Sequence, residues 1–197
     1  MNFILGLLVA ARSLSFVTSL IGAPIGTGVS FTQPQLYLTE QRIEMSVSVS
    51  NAFPADLRKL AESGTEIPFY IYAEVMETGK ETPVRKTVLE NRFTFDLVRK
   101  HYRVTKNTRA DTLVFSTLDS ALVAAASAER FFLISPDALR GQSSYFISLY
   151  AILGTTRVEA LQNSTLDLMY YWDFKRPSAR TQSYTGEALR IRKRSSS

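Results

Sequence analysis

A chain of 197 residues, 45% hydrophobic and 21% charged, is long enough for one globular domain with tails and ordinary enough to bury a substantial core. Its lack of cysteine excludes disulfide staples, thiolate zinc sites, a cysteine nucleophile and acylation at a lipobox-type cysteine. The net charge of +5 sits at the C-terminal end, where seven cations from Lys175 onward face the single anion Glu187; the body is near neutral, and a basic nucleic-acid-binding domain is not expected.

Residues 1–30 read as a signal-like or membrane-anchor segment. Between Met1 and Thr39 the only charge is Arg12, set between the apolar run "NFILGLLVAA" and the stretch "SLSFVTSLIGAPIG". No Lys or Arg precedes the first run, so a secretory signal requires either Arg12 as its basic start or a different initiation point. A span over residues 3–22 would place Arg12 near mid-bilayer at a cost of roughly 2.5–3.5 kcal/mol. A buried strand or helix is the remaining alternative. Export or membrane anchoring is the expectation for this segment. "GAPIGTG" does not read as a phosphate loop, because the extended "VSFTQPQLYL" follows it where a helix is required.

Residues 31–177 carry the predicted domain. "RIEMSVSVS" alternates cleanly, with Ile43, Met45, Val47 and Val49 on one face of a half-buried strand. "FPADLRKLAESG" predicts a short helix with Pro54 in its first turn, Leu57, Leu60 and Ala61 as its stripe and Gly64 as its stop. A long hairpin follows: Phe69, Ile71, Ala73 and Val75 share a face, "ETGKE" turns the chain, and Leu89, Phe93, Phe95 and Leu97 share the returning face. "HYRVT" and "TLVFS" predict two short strands around a polar turn. "STLDSALVAAASA" predicts a second helix, capped by Ser116 with Asp119 and buried along Leu118, Leu122 and Ala125. "RFFLI", "SYFISLYAIL" and "LDLMYYWDF" complete the set, the last as a strand with Leu166, Leu168, Tyr170, Trp172 and Phe174 on its apolar face. About eight strands and two short helices in hairpin-like succession predict a mainly β fold, an antiparallel β sandwich. Residues 178–197 are too poor in apolar residues to predict structure and read as a basic, disordered tail.

No catalytic set emerges, and no metal or cofactor is expected. His101, the only histidine, shares a strand face with Arg99 and Arg103, whose charge disfavours a bound cation, and no "GxSxG" nucleophile elbow accompanies it. Asp96, Asp111, Asp119, Asp137, Asp167 and Asp173 are scattered singly, although a distant pair brought together by folding would suit a hydrolase. Trp172 reads as core; a stacking platform on "YYWDF" is the alternative. Arg190, Arg192, Lys193 and Arg194 are the candidate contact for an anionic surface, lipid or nucleic-acid phosphate. Asn163-Ser164-Thr165 matches a glycosylation sequon, relevant only in a eukaryotic secretory route.

From about Gly64 to Pro177 the series "IPFYIYAEV", "FDLVRKHYRV", "LVFSTLDSAL", "YFISLYAIL" and "LMYYWDFKRP" resembles the bacterial envelope family called domain of unknown function 4390. The resemblance implies an exported, membrane-associated, β-rich domain, accessory to membrane signalling, and supplies no catalytic residues. The expected function is therefore a non-catalytic envelope domain that binds a protein partner or an envelope polymer through sheet edges or loops. The alternatives are a carboxylate-dependent hydrolase, and docking to lipid or nucleic acid through the tail.

Overall fold

The computed structural model describes residues 14–17, 20–21, 28–107, 111–158 and 164–190, the first two stretches as backbone alone. Strands β1 (Leu14–Val17), β2 (Leu20–Ile21), β3 (Ser30–Phe31), β4 (Gln35–Leu38) and β5 (Ile43–Ser50) come first. β5 is the predicted half-buried strand: Ile43, Met45, Val47 and Val49 are buried, and the polar residues between them are not. Helix α1 (Ala55–Glu62) follows, capped by Pro54, with Leu57 and Ala61 buried and Leu60 packed beside them. Gly64 ends it at φ +87°, a conformation that side chains rarely adopt.

β6 (Ile67–Glu77) and β7 (Arg85–Asp96) form the long hairpin, in register from Ile67 opposite Phe93 to Val75 opposite Arg85. One departure matters. Asn91, between Leu89 and Phe93, occupies a core position, while Leu97 lies past the strand and is half exposed. β8 (His101–Lys106) and β9 (Asp111–Phe115) are the next two predicted strands. Helix α2 (Leu118–Ala125) is capped one residue later than predicted: the Thr117 hydroxyl, not that of Ser116, accepts from the Ser120 amide. Asp119 instead pairs with Arg58 of α1. Ala121, Leu122 and Ala125 are buried, and Leu118 packs beside the core.

β10 (Ser127–Ile134) and β11 (Ser144–Leu153) complete the sandwich, and β12 (Thr155–Val158) with β13 (Ser164–Asp167) forms a separate ribbon. The predicted strand through Trp172 is corrected. The strand ends at Asp167, whose carboxylate accepts from the Met169 amide at 2.9 Å and starts a 3-10 turn, Leu168–Trp172. The turn buries Leu168, Met169 and Trp172 and leaves Tyr170 and Phe174 65% and 64% exposed. A short apolar run fits a period of two and a helical turn equally well, and the cap decides. Asp173 and Phe174 both take positive φ, 50° and 57°, an uncommon conformation for a residue as bulky as phenylalanine.

The tail reading is also corrected for residues 178–190. β14 (Ser178–Thr181) pairs with β11 and β2, and β15 (Tyr184–Thr185) pairs with β11. Low mean hydropathy is no bar to this, because the pairing is main-chain and rests on a few anchors. Thr181 is fully buried and its hydroxyl accepts from the Ile147 amide, Leu189 is buried, and Arg190 donates to the Pro136 and Leu139 carbonyls. Gly186 lies so close to the Arg140 carbonyl that a Cβ has no room there.

A five-stranded sheet, β1-β4-β5-β10 with β3 beside β5, faces an eight-stranded sheet, β2-β14-β11-β6-β7-β8-β9 with β15 beside β11; every pairing is antiparallel. Ile43, Met45 and Phe131 of the first pack toward Ile71, Leu89 and Phe93 of the second. This is the predicted mainly β sandwich. On the outer face of the larger sheet the Tyr72 and Tyr150 rings stack at 4.5 Å, and Lys86 bonds the Tyr150 hydroxyl and the Glu74 carboxylate. No helix among the described residues is long and apolar enough to cross a membrane.

Candidate functional site

The smaller sheet does not reach the end of the larger one, and α2 fills the gap. Directly paired residues in an antiparallel ladder point the same way. Thus Val104 and its partner Leu113, Tyr102 and Phe115, and Lys106 and Asp111 all face inward, toward α2. Between α2 and these strands lies an open cleft of about 620 Å³. Leu113, Phe115, Val123 and Ala124 form its apolar walls, and Lys106 and Ser127 form its polar end. Asp119 and Glu129 stand at the rim.

The apolar surface is unusually open. Val123 is 68% exposed and Val114, on the adjoining edge, 61%. Lys106 is only 7% exposed, and its ammonium reaches the Ser127 carbonyl at 3.2 Å. A buried ammonium needs such acceptors, because desolvation without them is costly. Asn91, opposite Lys106 in the β7–β8 ladder, donates from Nδ2 to the carbonyls of Ala125 and Ser127 at 2.8 and 2.9 Å. These bonds tie the C-terminal end of α2 to the sheet and set the width of the cleft. A second depression of about 350 Å³ lies on the other side of α2, between Asn51 and Leu122, and the Arg58–Asp119 pair stands beside it.

His101 opens β8 opposite Asp96, with its Nε2 3.9 Å from a carboxylate oxygen; Arg99 lies in the preceding turn rather than on the strand. The Asp96 carboxylate accepts from the amides of Arg99 and Val98 at 2.9 and 3.1 Å. The Arg99 bond above all holds its pKa below the ordinary carboxylate value, against a smaller opposing effect of desolvation. A carboxyl depressed on folding stabilises fully above its unfolded value and loses that contribution as pH falls through the folded one. The 97–100 turn should therefore loosen as pH drops below about 4, seen as collapse of the Val98 and Arg99 amide shifts in NMR spectra. In Asp96→Ala the turn should be loose at all pH values; shifts that hold through pH 2 would contradict this account.

The predicted candidates do not converge. Among the described residues no group of three or more His, Asp or Glu side chains could hold a metal ion. Asp111 lies beside the cleft, and Asp119 lines it together with Glu129, which sequence reasoning did not single out. Trp172 is core, with Nε1 donating to the Ala52 carbonyl at 2.9 Å, while Tyr170, Tyr171 and Phe174 cluster edge to face at the surface. The Arg190 guanidinium is engaged by two carbonyls. Arg192, Lys193, Arg194 and Asn163 lie outside the described residues. Lys106 was the signal that could have been read earlier: a lysine continuing the apolar alternation of Tyr102 and Val104.

Fold and site together define a β-sandwich domain in which, among the described residues, one sheet edge is left open beside a helix. The chain belongs to the family described as Domain of unknown function (DUF4390), whose family model matches residues 27–180. No curated protein and no solved structure matches it.

Proposed function

We propose that this protein is a non-catalytic domain of the cell envelope, held on the periplasmic side through its N-terminal segment, that binds a protein partner in the β9–α2 cleft as an accessory to a membrane system. The observation that carries this is the cleft itself: exposed Val114 on a sheet edge that pairs on one side only among the described residues, and exposed Val123 on a helix braced from below by Asn91. Exposed apolar surface of that kind is characteristic of docking sites. The near-uncharged first thirty-nine residues, with Arg12 alone, support export or anchoring.

A polymer platform is less well supported, because Tyr72 and Tyr150 stack on each other and under Lys86 rather than offering their faces. A hydrolase is also less well supported. Asp119 and Glu129 share the cleft, but Asp119 is ion-paired with Arg58 and both are exposed, whereas a general acid at neutral pH needs a setting that retains its proton.

The test is a photo-crosslinking residue at Val123 in the tagged full chain, expressed in its native host, with Val88 on the outer sheet face as control. A discrete protein adduct from Val123 alone, in the membrane or periplasmic fraction and lost in Val114→Asp, is expected. Identical adducts from both positions, no adduct from Val123, or fractionation wholly with cytosol would overturn the proposal.

A further inference from the structure

A second surface lies away from the cleft, at the end of the sandwich where β6 begins; assigning it rests on the membrane-held reading above. Ile67 of β6 lies opposite Phe93 and Phe69 opposite Leu153, so β7 and β11 both reach this end. Past β7, the 97–100 turn leaves Leu97 51% and Val98 91% exposed. Past β11, the chain returns from the β12–β13 ribbon with the Leu168 amide donating to the Gly154 carbonyl at 3.1 Å. The 3-10 turn that starts there, with the residues after it, leaves Tyr170 and Phe174 in solvent. Helix α1 lies between these two tips: Leu97 sits against Gly64 just past it, and Trp172 bonds to Ala52 just before it. None of the four exposed side chains lines the cleft or the depression on the other side of α2. Phe174 holds φ 57° without burying its ring, and a costly conformation kept at the surface points to a use there.

We infer that this end of the sandwich docks on the surface of a bilayer containing anionic lipid, with Leu97, Val98, Tyr170 and Phe174 entering the interface and the cations beside them meeting headgroup phosphates. Each tip follows its apolar residues directly with two cations, Arg99 and Lys100 after Val98, and Lys175 and Arg176 after Phe174. All four are exposed, and among the described residues none is held in an ion pair. Each tip also holds one acid, Asp96 or Asp173, and α1 between them adds Glu62 and the Asp56–Lys59 pair. The positive excess is thus small: the apolar side chains supply most of the attraction, and the cations choose the headgroup. Tyrosine suits this position, because its ring is apolar and its hydroxyl stays at headgroup level. Apolar tips on two separate loops suit a fluid surface, which needs no matching pocket to receive them. The N-terminal segment joins the domain at this same end. The family match begins at residue 27, and Asn51, in the link from β5 to α1, donates from Nδ2 to the Gly28 carbonyl at 3.0 Å.

The chain has no cysteine, so single cysteines can be labelled cleanly with a polarity-sensitive fluorophore. Full chains carrying the label at Val98→Cys, Phe174→Cys or, as control, Val88→Cys on the outer sheet face are mixed with vesicles of phosphatidylcholine, alone or with phosphatidylglycerol. All three sites are exposed, so the fold is not at risk. On the anionic vesicles the labels at 98 and 174 should shift to the blue and be quenched by acyl-chain spin labels, and the label at 88 should do neither. Replacing Lys175 and Arg176 by glutamine should raise the lipid concentration for half the response about fivefold per cation. Labels at 98 and 174 that stay in water, an equal response at 88, or a response indifferent to anionic lipid and to the glutamine changes would overturn the inference. So would a photo-crosslinker at position 98 that captures a protein rather than lipid in cells. The Val123 adduct is read independently of all these results, so the cleft reading survives their failure, and its own failure leaves a positive vesicle result standing.

Discussion

Replacing Trp172 by alanine is expected to destabilise the protein by about 3–5 kcal/mol, the range for deleting a buried indole. The residue is fully buried where the two layers meet the 3-10 turn. Its ring meets Phe69 edge to face at 5.8 Å, and Phe69 in turn packs on Phe53 at 5.9 Å. Its Nε1 donates to the Ala52 carbonyl between β5 and α1. Two effects are therefore removed together: apolar packing, and a donor for a carbonyl that has no water to turn to. Trp172→Phe separates them, keeping most of the ring and losing only the donor, at about 1–3 kcal/mol. Urea titration checks both: an alanine variant within about 1 kcal/mol of wild type would mean that the core closes without this side chain.

Asn91→Ala is expected to cost about 2–3 kcal/mol, from two lost buried hydrogen bonds and the carbonyl left unsatisfied on Ala125. Ser127 fares better, since Lys106 also donates to its carbonyl. The effect should be local as well as global. Asn91 holds the end of α2 to β7, so hydrogen exchange should quicken first in the amides of residues 121–126. Binding at the cleft should weaken in step, because Val123 and Ala124 ride on the same helix. Unchanged exchange in α2 would show that packing alone fixes it and that the asparagine is dispensable.

Strands with clean alternation were legible in the sequence. β5, β6 and β11 present buried and half-buried residues in turn because one face meets the core and the other meets solvent. Helix α1 was legible to within two residues through Pro54 and Gly64. What escaped was context. The cap at Asp167 converts a strand-like pattern into a turn, and no periodicity distinguishes the two over five residues. The final segment resembles a solvated tail in composition, yet its main chain completes a sheet and needs only Thr181 and Leu189 as anchors. The cleft was hidden for a related reason. Leu113 and Val123 carry no signal of it in the sequence, and only the placement of α2 at the sheet's open end shows that nothing in the described chain covers them.

The bond from Trp172 to Ala52 spans 120 residues, and β11 waits for partners that follow Pro177. Contacts this distant along the chain make folding slow and place its completion late. A nascent polypeptide emerging from the ribosome cannot seal this sandwich until residues 178–189 have appeared. Until then the inner faces of both sheets lack part of their cover, the kind of transiently exposed apolar surface that makes late-closing chains prone to aggregate.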